Sequence, residues 1–176
     1  PDNVGNGPVP PPNAAKEGNP ARISAFVKKA APEALADVVF QGADGQPIKL
    51  SDFKGKTILF NLWATWCAPC RKEMPDLSKL QEELGSEEFE VVAISVDRKG
   101  TEASAAFLIE NDATALKLYV DKSAQSLDTL QAVGLPATLL IDRQGREIGR
   151  LLGPAQWSSP EALTLIRTAL GEGKTS

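Results

Sequence analysis

The two cysteines of the chain, Cys67 and Cys70, enclose Ala68 and Pro69 and directly follow Trp66. Cysteines three positions apart can close a small disulfide ring on the first turn of a helix, where their Cα atoms come within the ~4.4 to 6.8 Å that a disulfide requires. A helix N-terminus also presents unpaired N–H groups, which stabilise a thiolate on the first cysteine. The spacing therefore predicts thiol–disulfide exchange, in which Cys67 attacks and the less exposed Cys70 resolves the mixed disulfide.

The residues beside the cysteines fit the same interpretation. Pro69 has no backbone N–H to lose in the first helical turn, and it limits the freedom of the ring. Ala68 and Pro69 lie between the two thiols and help to set their reduction potential. Trp66 precedes the nucleophile, so we expect it to form part of an apolar collar against which substrate proteins dock.

Several other roles for the pair stay open as alternatives. A structural zinc site needs about four ligands, and this chain has two thiols and no histidine, which leaves only zinc shared across a dimer. A purely structural disulfide would gain little from closing so small a loop. A peroxiredoxin-type site would carry Pro and then Thr ahead of its cysteine, where Phe60 and Ala64 stand. A copper-handling module is a further alternative, but copper sites of this kind usually recruit histidine, and this chain has none.

Composition excludes some classes of function. The net charge is −4 and the basic residues are scattered, so nothing suggests a nucleic-acid partner. No stretch approaches the ~18 to 20 apolar residues of a membrane span. The chain shows no signal peptide and begins at Pro1 rather than Met, so we expect that processing or cloning removed a segment upstream.

Two regions differ in composition. Residues 1–20 hold six of the thirteen prolines and almost no apolar side chains, which predicts a flexible linker, partly stiffened by its "PVPPP" core. Residues 21–172 have the periodicity of one folded domain. Its first element should be a short amphipathic helix, because Ile23, Phe26, Val27 and Ala30 recur at helical spacing before Pro32.

Strand and helix patterns alternate along the rest of the domain. A small hairpin is expected where "DVVF" and "PIKL" flank the turn "QGADGQ". Helices should follow the cysteines up to Gly85, span 101–110 and 124–133, and begin after the capping residue Ser159 with Pro160. Further strands are predicted at 57–64, 89–97, 116–121, 137–142 and 146–153. This order predicts an α/β fold: a mixed central sheet with helices on both faces, parallel crossovers, and the closing hairpin as an antiparallel edge.

The strand "ILFNLWATWC", the motif "WCAPC", the helix after it and the downstream stretch "VGLPATLLID" together resemble the thioredoxin-like superfamily. The resemblance implies a thioredoxin-like fold with a cis peptide between Leu135 and Pro136 that faces the disulfide. A substrate segment could then pair with the backbone around Leu135.

Within this superfamily, "LSDFKGKTILFNLWATWCAPCRKEMP" and "GPAQWSSPEALTLIR" are most similar to the TlpA-like branch, which is related to the ResA and CcmG proteins; the similarity runs from about Ala21 to Leu170. It implies a periplasmic reductase, anchored to the inner membrane by an N-terminal helix absent from this chain. Implied partners are cytochrome oxidase assembly factors, copper-site subunits or apocytochrome c, and an upstream membrane electron donor. No organic cofactor or metal is implied, and a disulfide donor is the rival function.

Two further positions relate to the cysteines. Thioredoxin has a buried Asp six residues before its first cysteine, and this chain has Asn61 there. Glu73 follows Cys70 by three residues, on the same side of the helix, and it matches the active-site Glu of the ResA-type proteins. We therefore expect Glu73 to accept the proton of Cys70, with a pKa raised by partial burial.

Overall fold

The structure is a computed structural model that describes residues 23–173, so the predicted linker 1–20 lies outside the described residues. Eight strands form one sheet with the order β1-β8-β7-β4-β5-β6-β2-β3. The strands are β1 (Val27–Ala34), β2 (Val39–Gly42), β3 (Pro47–Lys49), β4 (Thr57–Trp63), β5 (Phe89–Ser95), β6 (Tyr119–Val120), β7 (Ala137–Ile141) and β8 (Arg146–Leu152).

Residues 23–173 contain four α-helices, of which the first three lie between strands and the fourth follows β8. They are α1 (Ala68–Leu84), α2 (Thr101–Glu110), α3 (Gln125–Thr129) and α4 (Pro160–Gly173). Ser159 caps α4 as predicted, since its Oγ accepts the N–H of Ala162 at 3.3 Å. None of the helices between residues 23 and 173 has the length and apolar character needed to cross a membrane.

The predicted mixed sheet is confirmed. Strand β4 pairs in parallel with β5 and antiparallel with β7, and β5 pairs in parallel with the short β6. Every residue of β4 and β5 is buried, because the helices cover both faces of the sheet at its centre. The largest fully buried side chains of this core are Trp63, Trp157, Phe40, Phe60, Phe89, Ile58, Leu59 and Leu62.

The predicted helix near residues 23–31 is wrong. Ile23–Ala25 form a single 3₁₀ turn, and the chain then continues as β1, most of which is exposed. Val27 exposes 68% of its surface, so the apolar spacing does not mark a buried face. The backbone of β1 instead pairs with β8, and Gly149 allows the close approach, because a Cβ there would lie 2.5 Å from the carbonyl oxygen of Val27.

A second correction follows from the first. The closing hairpin β7–β8 is not the edge of the sheet, because β1 pairs with the outer side of β8. The predicted helix 124–133 is also shorter than expected. It ends at Thr129, Gln131 has a left-handed φ of 54°, and the Arg150 guanidinium binds the carbonyls of Leu130 and Gln131 at 2.9 and 3.3 Å.

The pairing registers place several ends together. Leu62, near the end of β4, is paired with Ala137 at the start of β7, and Ala137 is paired with Leu152 at the end of β8. Val27 at the start of β1 is paired with Arg150. The start of β1 therefore lies at the same end of the sheet as the loop that leads from β4 into α1.

Candidate redox site

Cys67 and Cys70 form a disulfide at the N-terminus of α1, with their Cα atoms 5.3 Å apart. Cys67 is the N-cap residue, and its sulfur accepts the backbone N–H of Cys70 at 3.3 Å. The Cys67 residue exposes 5% of its surface and Cys70 exposes none. Both are deeply placed, but only the Cys67 side of the bond borders solvent, so only this sulfur is open to a partner.

The surface around Cys67 is apolar. Trp66 exposes 72% of its surface, and Ala68 and Pro69 are exposed beside it. No side chain covers the large Trp66 ring to the extent seen for Trp63, which is 1% exposed in the core. The arrangement leaves an apolar rim next to the one sulfur that a partner can reach.

A buried carboxylate holds the turn that leads into Cys67. Asp97 accepts hydrogen bonds from the backbone N–H of Thr65 at 3.2 Å and from the Thr65 hydroxyl, and it accepts the N–H of Lys99 at 2.9 Å. Burial raises the pKa of Asp97, but these hydrogen bonds outweigh burial and leave the pKa below its usual value. Asp97 is therefore charged at neutral pH and fixes the residues before the disulfide.

The peptide bond between Leu135 and Pro136 is cis, as the resemblance implied. Pro136 is buried and its carbonyl accepts the N–H of Gly153 at 2.8 Å, whereas Leu135 is half-buried. The next residue, Ala137, is paired with Leu62 on β4. The cis peptide thus lies at the end of the sheet where β4 leads into the cysteine pair.

Glu73 lies one helical turn beyond Cys70 and is almost completely buried, with 1% exposed. Its Oε1 accepts the Asn61 side-chain N–H at 2.9 Å and its Oε2 accepts the Ala155 backbone N–H at 3.2 Å. Burial raises the pKa of Glu73 to about 8, although these two hydrogen bonds and the nearby Trp157 indole partly oppose the rise. The Trp157 N–H itself has no partner in hydrogen-bond geometry among the described residues.

The buried Glu73 makes stability depend on pH. Its pKa rises from 4.5 in the unfolded chain to about 8 in the folded protein. The folded state therefore holds this proton more tightly. Its contribution to the free energy of unfolding is fully present below pH 4.5 and is lost as the pH rises to about 8, by at most about 5 kcal/mol.

Denaturant unfolding of the oxidised protein across this range measures the loss. Glu73→Gln should flatten the dependence, whereas Glu83→Gln, which changes an exposed acid on the same helix, should preserve it. Equal slopes in wild type and Glu73→Gln would show that Glu73 is not protonated on folding.

Other site features carried no expectation from the sequence. Thr138 accepts the second N–H of Asn61 at 3.0 Å, and Ala155 reaches Glu73 through its backbone. Thr138 had a signal, since it is a polar residue within a buried strand pattern. Ala155 had none, because its contribution is a main-chain N–H. No cluster of three or more residues able to bind a metal ion occurs within residues 23–173.

Both the sequence and the fold of this chain are similar to those of known proteins. The chain is 32% identical over 110 residues to the thiol-disulfide oxidoreductase ResA of Bacillus thuringiensis subsp. konkukian, which covers 62% of each chain. This chain therefore spans about three fifths of the length of the curated relatives it matches. Among solved structures, it is similar to a putative thiol:disulfide interchange protein DsbE from Chlorobium tepidum, with TM-score 0.71, 28% identity and coverage of 83% of this chain and 99% of the other.

A second solved structure is the pneumococcal exposed lipoprotein thioredoxin Etrx1 from Streptococcus pneumoniae. It matches with TM-score 0.59 and 29% identity, over 78% of this chain and 99% of the other. These matches show the thioredoxin-like fold. The model of the AhpC/TSA family matches residues 27–146, which is more than half of the chain. The chain therefore has the thioredoxin-like fold and belongs to the AhpC/TSA family.

Proposed function

We propose that this protein is a thiol–disulfide oxidoreductase that reduces disulfides of protein substrates. The observation that carries the proposal is the asymmetric disulfide: Cys67 caps a helix N-terminus and borders solvent, Cys70 is fully buried, and a cis Leu135–Pro136 peptide lies at the same end of the sheet. The similarity to ResA and DsbE supports the same chemistry.

The reaction begins from the dithiol form. The Cys67 thiolate attacks one sulfur of the substrate disulfide; a bond forms between Cys67 and the substrate, and the other substrate sulfur leaves as a thiolate. Cys70 then gives its proton to Glu73 and attacks the Cys67 sulfur. The Cys67–Cys70 disulfide forms, the second substrate thiolate leaves, and two electrons have passed to the substrate. Electrons for the next cycle come from an upstream membrane donor.

The exposed apolar rim gives the docking site for this reaction. Trp66, Ala68 and Pro69 lie next to the reachable sulfur in the chain, and the half-buried Leu135, at the same end of the sheet, offers its backbone for strand-like pairing. An extended substrate segment can therefore be held on both sides of its cysteine. The rim is apolar, which suits a substrate cysteine that is flanked by apolar residues.

Location and substrates follow from the resemblance to TlpA-like proteins. It supports a periplasmic protein held at the inner membrane by an N-terminal helix, and the exposed lipoprotein from Streptococcus pneumoniae supports a location outside the cytoplasm. The proposed substrates are cysteines of cytochrome oxidase assembly factors, copper-site subunits or apocytochrome c. The same two cysteines could also donate a disulfide, which is the second candidate function.

The reduction potential of Cys67–Cys70 separates the two directions. Reduced and oxidised protein should be equilibrated in defined thiol–disulfide mixtures and followed by tryptophan fluorescence, with Trp66→Phe to assign the signal. A reductase predicts a value near or below that of thioredoxin, about −270 mV. A value close to the oxidising end, about −120 mV, would reverse the direction and make the chain a disulfide donor.

A further inference from the structure

The side chain of Asn61 connects three elements behind the disulfide. It lies on β4, is fully buried, and donates both protons of its amide nitrogen: one to Glu73 on α1 at 2.9 Å and one to the Thr138 hydroxyl on β7 at 3.0 Å. Asn61 and Thr138 are also cross-strand neighbours in the register of β4 and β7. A single amide therefore links the helix of the cysteines to the strand that follows the cis proline.

We propose that Asn61 is a positioning residue for disulfide exchange, whose amide holds the Glu73 carboxylate in place to receive the proton of Cys70. The inference rests on the proposed function. The role that it gives to Asn61 is to hold another group, and not to transfer a proton itself. An amide exchanges no proton at neutral pH, so Asn61 can act only through the group it holds.

The geometry around Glu73 explains why one amide has this effect. The carboxylate is gripped from two sides, by Asn61 on β4 and by the Ala155 N–H in the segment after β8. Without the Asn61 donor, Oε1 would be a buried acceptor with no partner, which disfavours the charged form and frees the group to rotate.

Few other groups can take over this role. The groups outside α1 that act on the pKa of Glu73 are the Asn61 amide, the Ala155 backbone N–H and the Trp157 indole, all uncharged. The charged residue that acts on Glu73 is Asp76 on α1, and it raises the pKa further. The pKa of Glu73 should therefore respond directly to a change at Asn61, since no cation is among the groups that shift it.

A mixed disulfide with a coloured aromatic thiol isolates the step. The reduced protein is mixed with 5,5′-dithiobis(2-nitrobenzoate); Cys67 binds one thionitrobenzoate and releases the other, and attack by Cys70 then releases the bound one. The second release is timed by stopped-flow absorbance across a pH series. The variants are Asn61→Leu, which removes the donor, and Thr138→Val, which removes only the other acceptor. Each is made with Glu73 and with Glu73→Gln.

Asn61→Leu should slow the second release about tenfold at neutral pH, as expected for the loss of a hydrogen bond to a charged group. Its pH midpoint should move upward, since the charged form of Glu73 loses a donor. Thr138→Val should keep the wild-type midpoint. In the Glu73→Gln background, which lacks this midpoint, Asn61→Leu should cause no further slowing, because the two changes act on one group.

Equal slowing by Asn61→Leu in the wild-type and Glu73→Gln backgrounds would overturn the inference, as would an unchanged midpoint. If Asn61→Leu fails to fold, judged by circular dichroism, the same-sized Asn61→Asp replaces it. Its carboxyl would share a proton with Glu73, so the midpoint should rise, and an unchanged midpoint would again count against the role. Failure of the proposed function looks different: wild-type protein would then show the second release but would not reduce a protein disulfide such as that of insulin.

Discussion

When Cys67 is replaced with serine, a protein disulfide should be reduced no faster than in buffer without enzyme. When Cys70 is replaced with serine, the substrate should stay trapped on Cys67 as a mixed disulfide. A serine hydroxyl is not ionised at neutral pH and cannot attack a disulfide sulfur, so the first variant has no nucleophile. The second variant keeps the nucleophile that borders solvent but lacks the buried thiol that releases it. Turbidity of reduced insulin measures the loss, and mass spectrometry under non-reducing conditions detects the trapped adduct.

The two variants should behave differently, since one loses its reaction with the substrate and the other accumulates an adduct. Simple misfolding would not produce this difference. Reduced wild-type protein with both thiols alkylated serves as the control without free thiols. An adduct on Cys70 in the Cys67→Ser variant, with none on Cys67 in the Cys70→Ser variant, would reverse the assigned roles. Activity in a variant with both cysteines replaced by serine would show that the pair is not the redox centre.

Replacing Glu73 with glutamine should slow the resolution of the mixed disulfide by about 100-fold at neutral pH, the lower end of what general-base catalysis contributes. Glutamine keeps the size of the side chain but accepts no proton. In the wild type the acceptor is the carboxylate, whose pKa lies at about 8, so the rate should climb as the pH rises toward this value. The variant should lose this part of the pH profile.

Rapid-quench trapping of the adduct between Cys67 and a cysteine peptide gives this rate directly. Glu83→Gln is the matched control, because Glu83 is an exposed acid on the same helix. The first step, attack by Cys67, should be nearly unchanged in Glu73→Gln. An unchanged rate of adduct decay in this variant would remove Glu73 from the mechanism.

Local patterns in the sequence were enough to predict the centre of the fold. The strands at β4, β5, β7 and β8 and the helices α1, α2 and α4 lie where apolar runs, capping residues and turns placed them. The outer strand β1 could not be predicted in this way, because its side chains are exposed and its stability comes from backbone pairing with β8, more than a hundred residues away. Apolar spacing in so short a segment favoured a helix instead.

The site likewise has features that local patterns predict and features that depend on contacts between distant segments. The cysteine pair and Glu73 are adjacent on one helix, so their spacing indicated which groups meet, although the burial of Glu73 is more complete than the partial burial expected. The contacts from Asn61, Thr138 and Ala155 join segments far apart in the chain. They depend on the register of β4 with β7 and on the path after β8, which no local pattern specifies.

The position of β1 also determines how the domain would be oriented if it were tethered ahead of Ile23. Val27 is paired with Arg150, and the sheet end at which it starts also holds the cis peptide and the disulfide. The polypeptide therefore enters the domain at its redox end, and a tether fixed ahead of Ile23 would pull on that end. Such a tether would keep the disulfide at the end of the domain nearest the attachment, within short reach of substrates on the same surface. Moving the tether to the C-terminus would change this orientation without altering any residue of the site.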